Sequence, residues 1–349
     1  MATAAIALTW IDQPAGFISK IRCSGSIGSD DSVAVVAVKR TDGTLTYVLR
    51  DYADIANPRT ACTFPDSEVE LLDARHVLTH GCSADGRSCL PAVVDLPEVE
   101  YHWFDPPEHK SWLILAMAAD LGSLVWQHYN QTTFENTVFL RDSRGDHALV
   151  TLPGGGGSCG GEGAPRTTAA YTRSGDHLYV LDTVGEARLI VAEGDQVRYS
   201  VAPPPTGWGE LDGPAAPLWS PVSETLWFRR GSDIYAWSPD ADARLLRREA
   251  PWFRATVSAD GRHLAYLVRG SDAADLYVGD PARLSDAVRI GTNRSSAVFL
   301  NAEQLWYLAG ASGCEGPPPM PRVYNVRTNT EAASIVQFVI SVWPATETK

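Results

Sequence analysis

Short apolar runs and polar turns alternate along the C-terminal half of the chain in a phrase that repeats. The clearest copy has an apolar run at Phe253–Val257, the turn Ser258-Ala259-Asp260-Gly261, and a second run at Leu264–Val268. A further turn at Gly270–Ala274 leads to Leu276–Gly279, and Ala287–Gly291 closes the phrase. Ser, Asp and Gly reverse a chain through local side-chain bonds and positive φ, so the phrase predicts four antiparallel strands joined as a meander. The runs opening at Leu178, Leu226, Leu264 and Leu305 are nearly continuous in apolar character. Strands covered on both faces read that way.

Those four leucines recur every 38 to 48 residues. A period of roughly 40–50 residues fits one blade of a β-propeller, four strands plus turns. Third strands follow at Asp233–Trp237, Leu276–Gly279 and Arg322–Val326. Before residue 167 the phrase is blurred. Ser32–Val38 and Thr44–Arg50 read as two strands, and Trp112–Ala118, Leu124–His128, Thr137–Arg141 and Ala148–Leu152 as a full set. Between them, Ser83-Ala84-Asp85-Gly86 reads as another copy of the turn, followed by Leu90–Leu96 and Val99–Phe104. The expectation is an all-β fold: one propeller over residues 1–349, with seven four-stranded antiparallel blades. Six or eight blades remain open, because the two termini can share a blade and so protect its edges.

The Ser-x-Asp-Gly turn, the Leu264-Ala265-Tyr266 strand and the Asp275-Leu276-Tyr277-Val278 strand resemble the repeats of TolB-type, WD-like propellers. The resemblance covers about residues 167–335. It departs where Ser174-Gly175-Asp176 and Asn301-Ala302-Glu303 replace the turn. It implies a propeller and a periplasmic or extracellular setting. It implies no common chemistry, because the motif residues form turns and function is carried by sites grafted on a fold.

Charge and cysteines narrow the setting. The net charge of −13 argues against nucleic acid, which needs a basic face. No run of eighteen apolar residues predicts a membrane span. The start Ala2–Trp10 lacks a basic opening and is short for a signal peptide, so the chain is either cytosolic or a mature form. Six cysteines is an even number. Cys82 and Cys89 bracket a turn, Cys159 and Cys314 lie in long loops, and Cys23 with Cys62 would complete three bridges. Fifteen connectivities exist, and disulfides would place the protein outside the cytosol. His76 and His80 would share a zinc ion on a helix. On a strand they lie roughly 13 Å apart, and the strand reading fits the blade rhythm. Trp219, Trp227, Trp237 and Trp306 sit at blade positions and read as packing.

Chemistry is sought where the rhythm breaks. Residues 101–109 gather His102, Trp103, Asp105, Glu108 and His109 beside two prolines. The Gly-rich run at 152–163 spells Gly-x-Ser-x-Gly around Ser158 and has no following helix, so it reads as a connector rather than a hydrolase elbow. In 202–212, Trp208 stands between two glycines and reads either as packing over a blade edge or as a contact for a sugar or a peptide. The pattern of Asp-box sialidases is absent. The expected function is a non-catalytic, monomeric, exported propeller that binds a protein or glycan through face loops, with no catalytic residues and no cofactor. The alternative is a hydrolase, lyase or lactonase with carboxylates or His at the channel mouth, where a Ca²⁺ ion is the one metal left open.

Overall fold

The run Val33–Ala37 contains no polar residue, and it is buried throughout. Strand side chains alternate between two faces. Val33 and Val35 enter one core with Val69, Val77 and Val94, while Ala34 and Val36 enter another with Val298, Leu300 and Trp306. One strand thus serves two cores, and this is why its sequence does not alternate. Each Val or Leu removed from water in this way contributes about 1.5–3 kcal/mol.

The computed structural model describes residues 12–13, 16–17, 19–24, 33–52, 57–65, 69–72, 75–82, 89–96, 98–104, 112–118, 121–130, 132–133, 135–153, 167–171, 178–182, 188–193, 196–201, 218–220, 223–230, 232–238, 241–250, 252–269, 274–310 and 319–343. Strands are numbered in chain order. The first four are β1 (Arg22–Cys23), β2 (Val33–Lys39), β3 (Leu45–Asp51) and β4 (Arg59–Phe64). A blade follows from β5–β8 (Val69–Leu71, His76–Cys82, Cys89–Asp95, Glu100–Trp103), and another from β9–β12 (Trp112–Met117, Leu124–Asn130, Glu135–Asp142, Gly145–Pro153). The next are β13–β16 (Thr167–Tyr171, Leu178–Asp182, Arg188–Glu193, Gln196–Val201) and β17–β20 (Leu218–Ser220, Thr225–Arg230, Asp233–Ser238, Ala241–Arg247). Then come β21–β24 (Trp252–Val257, Leu264–Arg269, Ala274–Gly279, Val288–Gly291) and β25–β28 (Arg294–Phe299, Gln304–Ala309, Met320–Asn325, Thr330–Ala333). The last strand is β29 (Val336–Trp343).

Among the described residues, six sheets have four strands each, in simple meander order. The remaining sheet has five, in the order β1-β4-β3-β2-β29. The expectation of seven four-stranded blades is therefore corrected to six of that kind plus a five-stranded closing sheet. The extra strand is β1, whose two residues pair with Thr63 and Cys62. A two-residue strand leaves no hydrophobic period to read. The last strand, β29, pairs with β2 along Val33–Val38, so the closing sheet is built from both ends of the chain.

Strands of like rank adjoin from sheet to sheet: β29 against β5, β9 against β13, and β21 against β25. Apolar side chains fill the spaces between neighbouring sheets. Leu264 and Tyr266 pack toward the β17–β20 blade with Trp227 and Ile234. Ala265 and Leu267 pack the other way, with Phe299, Leu305 and Tyr307. Successive strands of a meander reverse, so connections after the second and fourth strands of a blade leave one face of the ring. Connections after the first and third leave the other.

That rule corrects one reading. The turn Ser258–Gly261 joins β21 to β22, a first-to-second connection. The residues Ser83–Gly86 lie outside the described residues, but in the sequence they fall between β6 and β7, the second and third strands of their blade. Identical tetrapeptides thus occupy different places in the repeat. Val99 is also not the start of a strand: its φ is 60° and β8 begins at Glu100.

Candidate functional site

The two faces of the ring differ in how they are finished. On the face of first-to-second turns, a polar residue at the end of the first strand or within two residues beyond it is buried in three blades: Ser220, Ser258 and Asn301. Ser258 Oγ donates to Asp260 Oδ1 at 2.7 Å and accepts from the His263 backbone N–H at 2.9 Å. Gly261 follows with φ 72°. Asn301 does the same work alone: its Oδ1 accepts from the N–H groups of Glu303 and Gln304 at 2.8 and 2.7 Å. The Asn-Ala-Glu departure from the repeat is a chemical equivalent of it. These turns close that face with satisfied polar groups.

The other face holds the strand ends between which the sequence interruptions fall. Residues 105–111, 154–166 and 202–217 each lie between a fourth strand and the next first strand, and 311–318 lie between β26 and β27. These segments lie outside the described residues, and the described strand ends that flank them all belong to one face. Large exposed apolar side chains gather there too. Among the described residues these are Leu45, Val288, Met320, Ile335 and Phe338. All but Val288 sit at the loop-bearing ends of β3, β27 and β29. The bond from Ser334 N–H to Pro321 O continues the Arg322–Ala333 register and sets Met320 against Ile335. Phe338 lies across from Ala37, which in turn lies across from Tyr47, two residues from Leu45. Sequence reasoning missed these four, because in strands so rich in apolar residues only position in the ring decides which stay exposed.

The candidate residues fall unevenly. His102 and Trp103 lie in β8, His102 half-buried and Trp103 buried. The Trp103 ring is stacked 5.3 Å from Tyr101 and meets Phe17 edge-on at 4.7 Å. It lies so close to Gly81 that a Cβ there would stand 2.2 Å from the ring. Ser19 Oγ and the Tyr101 hydroxyl share a hydrogen bond at 3.0 Å. Asp105, Glu108, His109 and Trp208 lie outside the described residues, as do Cys159 and Cys314. Cys82 and Cys89 stand directly opposite each other in β6 and β7. Cys23 and Cys62 form a disulfide, with Cα atoms 4.0 Å apart. His76–Cys82 is a strand, as its rhythm predicts, and His76 Nε2 lies 3.9 Å from Asp95 Oδ1. Among the described residues, no group of three His, Cys, Asp or Glu could hold a metal ion, and no helix is long and apolar enough to cross a membrane.

One charged group between blades is well partnered. Arg247 lies 4.8 Å over the Tyr277 ring, and its Nη1 donates to the Tyr266 hydroxyl at 2.6 Å and to Leu284 O at 3.1 Å. Burial pushes the Tyr266 hydroxyl up to about 12, against the opposing pull of Arg247. This guanidinium bonds two blades together and is structural.

No family model and no curated protein matches the sequence. Among solved structures the chain is similar to a prolyl endopeptidase, with a TM-score of 0.52 and 11% identity. The match covers 87% of this chain and 50% of that one, so this chain spans about half of that enzyme's length. The chain is a β-propeller. A putative 6-phosphogluconolactonase from Bacteroides fragilis is similar at a TM-score of 0.49 and 12% identity, over 90% of this chain and 98% of that one. TolB from Acinetobacter baumannii is similar at 0.42 and 11%, over 88% and 81%. At 11% identity, the likeness to the prolyl endopeptidase speaks for the propeller fold and for nothing finer.

Proposed function

We propose that this propeller is a non-catalytic binding module that docks a partner protein on its loop-bearing face. The observation that carries this reading is the placement of Leu45, Met320, Ile335 and Phe338. Four of the five large exposed apolar side chains among the described residues share the face on which the strand ends flanking residues 105–111, 154–166, 202–217 and 311–318 lie. Exposed apolar groups gathered on one face mark interaction surfaces. Met and Phe are enriched at protein interfaces, and aliphatic Leu and Ile suit a protein better than a sugar ring. The Cys23–Cys62 disulfide supports an oxidising compartment, periplasmic or extracellular. The module is read as a monomer that needs no cofactor.

The test is site-specific photo-crosslinking in the native host, with benzoylphenylalanine placed at Met320, Ile335 or Phe338. Val288, 59% exposed on the opposite face, is the control. A defined crosslinked protein from the first three positions and none from the control supports the reading. Equal labelling from both faces overturns it. A glycan array on the same protein identifies a sugar partner instead. Turnover in hydrolase, lactonase and lyase screens would establish the enzyme.

A further inference from the structure

A second guanidinium stacked on a tyrosine differs from Arg247 in being left with unspent donors. Arg294 opens β25 and its Cζ lies 5.4 Å above the Tyr307 ring. Its Nη1 donates to Thr292 O at 2.9 Å. Its Nη2 is 3.8 Å from Glu331 Oε2, and Arg322 Nε is 3.6 Å from Glu331 Oε1. Both separations exceed a hydrogen bond. These residues come one from each strand of the β25–β28 blade. Register sets them on a single face, because Tyr307 opposes Arg322 and the others lie two residues along from positions in line with them.

Among the described residues, Arg294 Nε and Arg322 Nε are buried without a hydrogen-bond acceptor, and the buried Tyr307 hydroxyl lies beside Glu331 and Arg294 without a well-formed bond to either. Tyr307 itself is 0% exposed. Burial, and next to it the Glu331 carboxylate, hold its hydroxyl protonated far above the ordinary range although Arg294 opposes them, so it remains a donor. The group is not sealed: the side chains of Arg294, Arg322 and Glu331 are 19%, 31% and 33% exposed. Two guanidiniums against one carboxylate leave one positive charge over, in a protein of net charge −13.

The backbone is bent to present Arg294. Asn293 and Ser296 on either side have φ of 57° and 53°, in the left-handed region. The β25–β26 register is broken between Ser295 and Val298. Gly291 gives the guanidinium its seat, since a Cβ there would lie 2.8 Å from Arg294 Nη2. Left-handed backbone at residues other than Gly, and bulges that re-aim a side chain, concentrate at functional sites.

We propose that Arg294, Arg322 and Tyr307 bind a carboxylate group of a ligand, with Glu331 holding the two guanidiniums apart. A guanidinium fork matches the two oxygens of a planar carboxylate. One surplus positive charge balances one negative charge, and the fixed Glu331 carboxylate repels a dianion such as phosphate. The site does not depend on a docked macromolecule, since a small acid supplies the same group.

The experiment follows the arginine Hε signals in ¹⁵N–¹H spectra of the full chain, assigned with Arg294→Lys and Arg322→Lys. The protein is titrated at matched ionic strength with N-acetylglutamate amide, methyl glucuronide and sodium phosphate. Saturable shifts of both Hε signals with either carboxylate are expected, and the better of the two tells a peptide source from a sugar source. Tyr307→Phe keeps the ring and removes only the hydroxyl. It should weaken that binding by about tenfold with an unchanged melting temperature. This variant carries the test if the arginine variants do not fold. Unmoved signals, tighter binding of phosphate, or an unchanged affinity in Tyr307→Phe would overturn the proposal.

Discussion

Asn301 Nδ2 donates to the backbone carbonyl of Tyr52 at 3.1 Å, joining residues 249 positions apart across the closure of the ring. The same side chain accepts two backbone N–H bonds in its own turn. Asn301→Ala would strand two N–H groups and one carbonyl in a site only 3% exposed. Leaving buried polar groups unpaired costs about 1–3 kcal/mol, so the urea midpoint should fall with the m-value unchanged. A fall in m as well would mean that the ring opens.

The Cys23–Cys62 bridge joins the extra strand to the closing sheet across a sequence separation of 39. On the chain-entropy account, a loop of that length adds about 4 kcal/mol by restricting the unfolded state. Reductant, or the Cys23→Ser/Cys62→Ser pair, should lower the melting temperature accordingly. Thiol labelling of the denatured, unreduced protein should spare both residues. Labelling at either position would refute the bridge.

What could be read from the sequence was what repeats locally. The four strands β9–β12 were legible, with bounds within three residues of those observed, because apolar runs and turn residues are local signals. Asn301 looked like a fault in the phrase, since sequence records residue types and not the hydrogen bonds they make. The strand at Arg22–Cys23 was illegible: its two residues are placed by Cys62 and by the burial of Ile21, both tertiary effects. The exposure of Phe338 follows from the rank of β29 in the ring. The grouping of Arg294, Tyr307, Arg322 and Glu331 follows from register across four strands. Neither is written in local pattern.

Gly81 is set by a neighbour rather than by a turn. It sits within β6, where a glycine weakens a strand unless another group needs the space. Here the Trp103 ring occupies that space, itself covered by Phe17. Gly81→Ala should cost about 1–3 kcal/mol by overpacking. Adding Trp103→Leu should recover part of that loss, so the double variant costs less than the two singles together. Strict additivity in chemical denaturation would show that position 81 needs a glycine for another reason.

Asp146 offers a test by pH. Desolvation raises its titration, but Arg141 and Trp126 more than offset this and leave it below the ordinary carboxylate value. Arg141 donates to both carboxylate oxygens at 2.8 Å, and Trp126 Nε1 donates at 2.8 Å. A carboxyl lowered in the folded state adds stability above its unfolded pKa, near 3.9, and loses it as pH falls through the lower folded value. Asp146→Asn should therefore be less stable than the parent at pH 6–7, and the gap should narrow below about pH 4. Trp126, 2% exposed and stacked 4.4 Å from Phe139, reports on this site by its fluorescence. A gap that stays constant between pH 7 and pH 3 would mean that Asp146 acts by shape alone and not by charge.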